Sequence, residues 1–306
     1  MSDPNAKPLW QRAFSRRNFL RLGGAGVAGA GLSTGYVFKW EPEFLEITRR
    51  RITLLPIGGG EKVVRAVQLS DLHASECVSM SYLRRAVKMA VELKPDLFLM
   101  TGDYITSKDF HQHDEFIEVL RPLADAAPTY ATLGNHDGGS WAGSTYGHPD
   151  SREVQDILAK AGIQLLLNDI RRLEFHGAPL LLVGLGDFWN EEDFLPSTAF
   201  GKLRKGEWAA PPARPPIVLM SHNPDSKRDL HPYPWDLMLC GHTHGGQMVV
   251  PFLDIRPFLP IRDKRFREGL YAWGGRQIHI TRGIGNLHGA RINCRPEISQ
   301  LDLVVG

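Results

Sequence analysis

"DLFLMTGD", residues 96–103, sets four apolar residues in a row against Thr-Gly-Asp. A short unbroken apolar run bounded by turn residues predicts a strand buried on both faces, here one that ends on a carboxylate, Asp103. Working outward, residues 82–93 carry apolar side chains at 83, 86, 87, 90 and 91, a single helical face closed by Pro95. Ahead of that helix, "VVRAVQL" (63–69) predicts another buried strand, ending at Ser70-Asp71. Downstream, Phe116, Ile117 and Leu120 mark a short helix broken near Pro122, "TYATLGNHD" (129–137) reads as a strand, and 151–161 as a well-capped helix stopped by Gly162. Strands then dominate: 163–167, a hairpin across 173–185, "IVLMSH" (217–222), "DLMLCGH" (236–242), "IHITRG" (278–283) and "ISQLDLVV" (298–305). The Pro-rich, charged segment 187–216 reads as a loop with a short helix. Helices alternating with strands, followed by hairpins, predict an α/β layered domain with mixed sheets.

The strand ends share a chemistry. They deliver Asp71 and His73, Asp103, Asn135-His136-Asp137, His222, and His242 with His244. In open α/β sheets ligands gather outside the carboxyl ends of strands, so these groups are expected to converge. In "CGHTHGGQM" (240–248), alternation along a strand would aim His242 and His244 at one point, and Gly245 and Gly246 would let the backbone approach what sits there. Carboxylate, amide and imidazole donors without thiolate suit Mn²⁺, Fe or Zn²⁺. Seven candidate ligands exceed one open catalytic ion and are accounted for by two ions sharing a carboxylate.

In that order, Asp71-x-His73, Gly102-Asp103, Gly134-Asn135-His136-Asp137, His222 and Gly241-His242-x-His244 resemble the five motif blocks of the calcineurin-like metallophosphoesterases. "GHTHGGQ" and "TRGIGN" (281–286) are similar to the exported phosphodiesterase branch. The resemblance implies a four-layer α-β-β-α sandwich with two mixed sheets. It implies Asp71, His73 and His244 on one metal, Asn135, His222 and His242 on the other, and Asp103 bridging. Two such cations can hold the attacking and leaving oxygens of an in-line displacement and acidify a bridging water to hydroxide. His136 is the candidate general acid, with Asp137 expected to fix its tautomer. Arg282 and Asn286, in a loop expected near the metals, are candidate substrate contacts, as are His148 and His288. The remaining histidines read as surface or core residues.

Residues 1–30 hold five basic side chains (Lys7, Arg12, Arg16, Arg17, Arg21) against Asp3, so the formal net charge of +2 leaves residues 31–306 at −2. No basic stripe for nucleic acid is present, and a monomer is expected. Arg16-Arg17 followed by Phe-Leu and an uncharged Gly/Ala-rich stretch (22–38) fits a twin-arginine export signal or anchor over 1–38, leaving 39–306 as one domain. The expectation is export, by the twin-arginine machinery, to the periplasm or the outer face of the inner membrane. Three cysteines without CxxC spacing read as separate buried thiols. "PFLDIRPFLPI" (251–261) followed by "RDKRFR" combines apolar and basic residues, as at anionic bilayer surfaces. The expected reaction is therefore phosphodiester hydrolysis, with a phospholipid as one substrate class. A UDP-diacylglucosamine-type pyrophosphatase is the alternative; a protein phosphatase or a non-catalytic scaffold ranks below both.

Overall fold

The computed structural model describes residues 34–55, 60–107, 110–210, 213–250 and 252–305. The twin-arginine motif lies outside these. Among them, twelve strands form two six-stranded sheets, ordered β1-β12-β2-β3-β4-β5 and β10-β11-β9-β8-β7-β6. The first comprises β1 (Glu46–Leu55), β2 (Lys62–Leu69), β3 (Leu97–Thr101), β4 (Thr129–Thr132), β5 (Gln164–Leu165) and β12 (Glu297–Val305). The second comprises β6 (Asp169–Phe175), β7 (Ala178–Gly184), β8 (Ile217–Met220), β9 (Leu237–Cys240), β10 (Gly269–Trp273) and β11 (Arg276–Ile280). Strands β2 to β5 run parallel, as do β7, β8, β9 and β11; β12 pairs antiparallel with β2 and parallel with β1, and β6 and β10 close the second sheet in antiparallel pairs.

Strand alternation explains the layering. Leu97 and Leu99 face inward with Val218, Met220, Leu237 and Leu239, making the core between the sheets. Phe98 and Met100 face outward into a second core under helices α1 (Met80–Glu92), α2 (His113–Ala126) and α4 (Arg152–Lys160), the last following the short α3 (Ser140–Tyr146). Ile217, Leu219, Met238 and Cys240 make a third, covered by α5 (Pro196–Phe200), Trp235 and Phe266. Each large aliphatic side chain so buried contributes about 1.5–3 kcal/mol. The sandwich is thus four-layered, its fourth layer mostly turns and loops around one short helix.

Several local expectations change. Helix α1 starts where Ser79 accepts a hydrogen bond from the Tyr82 amide (3.2 Å). Helix α2 continues through Pro122 to Ala126, because Glu118, whose carbonyl loses its partner, lies on the solvent face. Ser151 makes no capping bond to the backbone of α4; its Oγ accepts from Gln155 Nε2 instead (2.8 Å). The strand expected over 163–167 shrinks to two residues. Cys77 is exposed, whereas Cys240 and Cys294 are buried, and all three are free thiols.

Candidate metal centre

The carboxyl ends of β2, β3, β4, β8 and β9 meet at one rim. Ladder-like bonds run on past β2 and β3, from Asp71 N to Gly102 O (2.9 Å) and from His73 N to Asp103 O (3.1 Å). Gln68 Nε2 donates across the two sheets to Cys240 O (3.0 Å), and His242 N donates to Asp71 Oδ1 (2.9 Å). The strands stop there because the chain turns sharply: Asp71, His73, Asp103, His242 and His244 all have φ between 47° and 66°. Left-handed backbone at non-glycine residues costs on the order of 1–3 kcal/mol each and clusters at functional sites. Gly241 is required beside them, since a Cβ there would stand 2.2 Å from Asp71 Oδ2.

The seven expected ligands come together, all buried. His244 Nε2 lies 2.9 Å from His73 Nε2 and 3.3 Å from Asp71 Oδ1. His222 Nε2 lies 3.1 Å from Asp103 Oδ2, and His242 Nδ1 lies 2.7 Å from Asn135 Oδ1. Asp103 Oδ2 also stands 3.6 Å from His73 Nε2, so it faces both clusters. His242 and His244 therefore do not aim at one point. They sit in the turn after β9 and serve different clusters. Gly245 and Gly246 serve packing rather than approach to that point: a Cβ on Gly245 would meet Cys294 Sγ at 2.7 Å, and one on Gly246 would meet the Arg256 side chain.

Three features fit divalent cations. The donors are nitrogen and oxygen only. Asp71 Oδ2 is buried without a hydrogen-bond partner, a costly state unless something else satisfies it. His222 Nδ1 donates to Thr101 O (2.6 Å), which turns Nε2 toward the cluster. Burial drives His73 and His244 well below the usual imidazole range and His242 down to about 3, keeping the neutral ring that a metal needs. Burial pushes Asp71 up to about 6. It also works to raise Asp103, but the surrounding His222 and His136 rings overcome it and hold Asp103 well below its usual range. His222 is raised well above its own: burial opposes its charge, and the Asp103 carboxylate prevails.

His136 has its Nε2 4.0 Å from Asp103 Oδ2. Asp137 does not touch its ring. The Asp137 carboxylate accepts from the amides of Asp103 (2.8 Å), Tyr104 (2.7 Å) and Gly134 (2.7 Å). The orienting group is Thr106, whose Oγ1 lies 3.0 Å from His136 Nδ1 and also contacts His73 Nδ1. One hydroxyl serves both rings: with His73 Nε2 turned to a metal, its Nδ1 carries the proton, so Thr106 Oγ1 accepts a hydrogen bond from His73 Nδ1 and donates one to His136 Nδ1. That leaves His136 with a proton on Nε2, facing the cluster. The signal was Thr106 standing three residues past Asp103.

Arg282 is not free for substrate, because its guanidinium is bound to Glu297 (2.9 Å) and Glu46 (2.8 Å). Asn286 is buried, and its Oδ1 accepts from the Gly289 amide (2.5 Å). His148 bonds Ser107 O (3.1 Å), and His288 is exposed. Two features escaped the sequence reading. Trp141, Tyr146 and Trp189 wall the site, with ring centroids 4.9 Å and 4.7 Å from His136 and 4.8 Å from His242 respectively. Asp187, which follows β7 in "GLGD", is a buried carboxylate with Oδ2 unpaired. Its Gly-Asp after an apolar run repeats the pattern of Gly102-Asp103 and was the available signal.

Two facing carboxylate–imidazole clusters at the strand ends of a two-sheet sandwich, with a histidine beside them, define a metal-dependent phosphoesterase. The family profile of the calcineurin-like phosphoesterases matches residues 64–246, and the chain belongs to that family. It is 38% identical over 293 residues to the phosphodiesterase YaeI of Escherichia coli, covering 95% of this chain and 99% of the relative. It is 30% identical to the metallophosphoesterase YkuE of Bacillus subtilis, over 95% and 98% of the two chains. It is 25% identical to the UDP-2,3-diacylglucosamine pyrophosphatase LpxG of Chlamydia trachomatis, over 84% and 89%.

Proposed function

We propose that the chain hydrolyses phosphodiesters with two divalent ions, Asp71, His73 and His244 holding one, Asn135, His222 and His242 the other, and Asp103 both. The observation that carries this is Asp103 Oδ2, 3.6 Å from His73 Nε2 and 3.1 Å from His222 Nε2. Such ions supply an acidified water and neutralise charge on the phosphate oxygens. The chain's residues supply the rest. Thr106 holds His136 with its proton on Nε2, from which it can pass to the departing alkoxide. Neutral Asn135 limits negative charge in its cluster. Trp141 and Trp189 offer an apolar wall to the leaving group.

Phosphodiesterase YaeI's higher identity favours a diester over the pyrophosphate of LpxG. A cleft of about 1230 Å³ lined by Trp141, Trp189, Phe194, Tyr233 and Leu259, with Arg262 and Lys264 beside Glu191, Asp225 and Asp229, has room and apolar wall for a diester carrying an apolar group, such as a phospholipid. Arg16-Arg17 and the uncharged stretch behind them support an exported enzyme. The test compares the full chain, loaded with Mn²⁺, on an aryl phosphodiester and the matching monoester, with EDTA as control. Diester turnover above monoester, abolished by EDTA and restored by Mn²⁺, is expected. Monoester preference, or turnover indifferent to EDTA, would overturn the reading.

A further inference from the structure

The strap after the GHTHGGQ turn presents apolar side chains to solvent instead of packing them. Phe252 is fully exposed, Leu253 65%, Phe258 63% and Ile255 54%. The strap leaves the site just after His244 and returns at Pro260, whose carbonyl faces His242 Nε2 (3.4 Å). A loop that only closed the core would bury these groups, since each exposed large apolar side chain forfeits its share of burial energy.

A second set of exposed apolar residues lies on the neighbouring ribbon. Trp40 is 74% exposed, and Phe38, Phe44 and Tyr36 are also exposed. The two sets are linked through residues 291–295. Arg291 N donates to Val37 O (3.1 Å), Cys294 N to Glu41 Oε1 (2.7 Å), and the Arg295 guanidinium lies 4.2 Å from the Phe44 ring. On the other side, Val249 N donates to Ile292 O (2.9 Å), and Val250 N to Ile255 O (2.9 Å). Residues 36–44, 291–295, 248–250 and 252–258 are therefore joined edge to edge in one ribbon layer.

We propose that this layer docks the enzyme on a lipid bilayer, with 252–258 inserted at the headgroup level and the metal centre beside the surface. Three observations favour a bilayer over a protein partner. The aromatic rings mix with aliphatic side chains, as in interfacial belts. Residues 250–267 carry five basic side chains against two acids; Arg256, Arg265 and Arg267 pair with Asp254, Asp263 and Glu268, which leaves Arg262 and Lys264 to meet an anionic headgroup layer. Residues 22–38, which carry no charged side chain, lead in sequence into this layer at Tyr36. Docking does not depend on which phosphoester the site cleaves.

The test uses the full chain carrying Cys77→Ser, to remove the exposed thiol, and Leu253→Cys bearing an environment-sensitive fluorophore. Lys88→Cys on α1 carries the reference probe. Vesicles of phosphatidylethanolamine with phosphatidylglycerol are expected to shift the Leu253 probe to the blue and expose it to quenching by spin-labelled lipid, leaving the Lys88 probe unchanged. Phe252→Asp with Ile255→Asp is expected to abolish that shift while turnover of a soluble aryl diester stays at the parent level. Retained turnover shows the variant folded and separates failed docking from a failed phosphoesterase reading. The proposal is overturned if the chain does not sediment with vesicles, or if it sediments with the Leu253 probe still in water. A blue shift without vesicles that grows with protein concentration would overturn it in favour of a second copy.

Discussion

Asp137 offers the sharpest separation between the sequence reading and the structure. If it orients His136, Asp137→Asn leaves stability intact and disturbs the tautomer. The structure gives it another task, holding three amides, of Asp103, Tyr104 and Gly134, at 2.7–2.8 Å. Alanine would leave three buried donors unpaired at about 1–3 kcal/mol each, so Asp137→Ala is expected to cost about 3–6 kcal/mol, some water entering. Asparagine can turn its oxygen to the Asp103 and Gly134 amides, but then sets its NH₂ against Tyr104 N, at about 1–3 kcal/mol. For a domain of this size each kcal/mol lowers Tm by about 2–4 °C, so Ala should fall well below Asn, and Asn below the parent. Calorimetry of the metal-free chain measures this directly. Because the same amides fix Asp103 in its left-handed turn, Mn²⁺ affinity should fall in the same order. A parent-like Tm for Asp137→Asn, with only the pH–rate profile changed, would refute the reasoning.

Thr106→Val removes the hydroxyl shared by His73 and His136 and should lower metal affinity or activity about 10–100-fold, read by Mn²⁺ titration and steady-state kinetics; parent-like values of both would count against the shared proton. Burial raises Asp187 to about 7 from an ordinary 3.8. The folded chain thus holds a proton that the unfolded chain releases, and stability of the metal-free protein should fall as pH rises from about 4 to about 7. Asp187→Asn should flatten that slope in denaturant midpoints, and an unchanged slope would remove Asp187 as its source. Trp189→Ala, losing the edge contact to His242, should reduce kcat/KM on an aryl diester roughly fivefold, in line with an aromatic pair worth about 1 kcal/mol. An equal loss on a methyl diester would show that the ring does not contact the aryl group.

Legibility followed the physics of each segment. The parallel strands β2, β3, β4, β8 and β9 are buried on both faces, so their apolar runs stand out, and the ligands follow at once. Edge strand β1 was hidden because Arg49, Arg50 and Arg51 mask its alternation, although Ile52 and Leu54 pack into the core. Charged edges are how sheets avoid pairing with strangers. The ligands were legible as residue types at strand ends. What they touch was not: Asp137 and Arg282 both turned to neighbours that only the fold brings near, three amides in one case and Glu46 and Glu297 in the other.

The same geometry predicts how stability and metal are coupled. Five ligand residues hold left-handed backbone, and the ring nitrogens of His73 and His244 face each other at 2.9 Å with no charge between them. In the metal-free chain, the only cation among the described residues that faces Asp103 Oδ2 at close range is protonated His222, at 3.1 Å. The strand-end turns are held by the sandwich beneath and by bonds such as those of Asp137 and of His242 N to Asp71 Oδ1, and ion uptake should add stability by mass action, about 2.7 kcal/mol at a hundredfold excess over Kd. Because uptake must displace the His222 proton, the stabilisation should weaken as pH falls. Calorimetry with and without Mn²⁺ at two pH values measures both effects. A Tm rise that is independent of pH would mean that His222 carries no proton in the metal-free chain, and that Asp103 is satisfied in some other way.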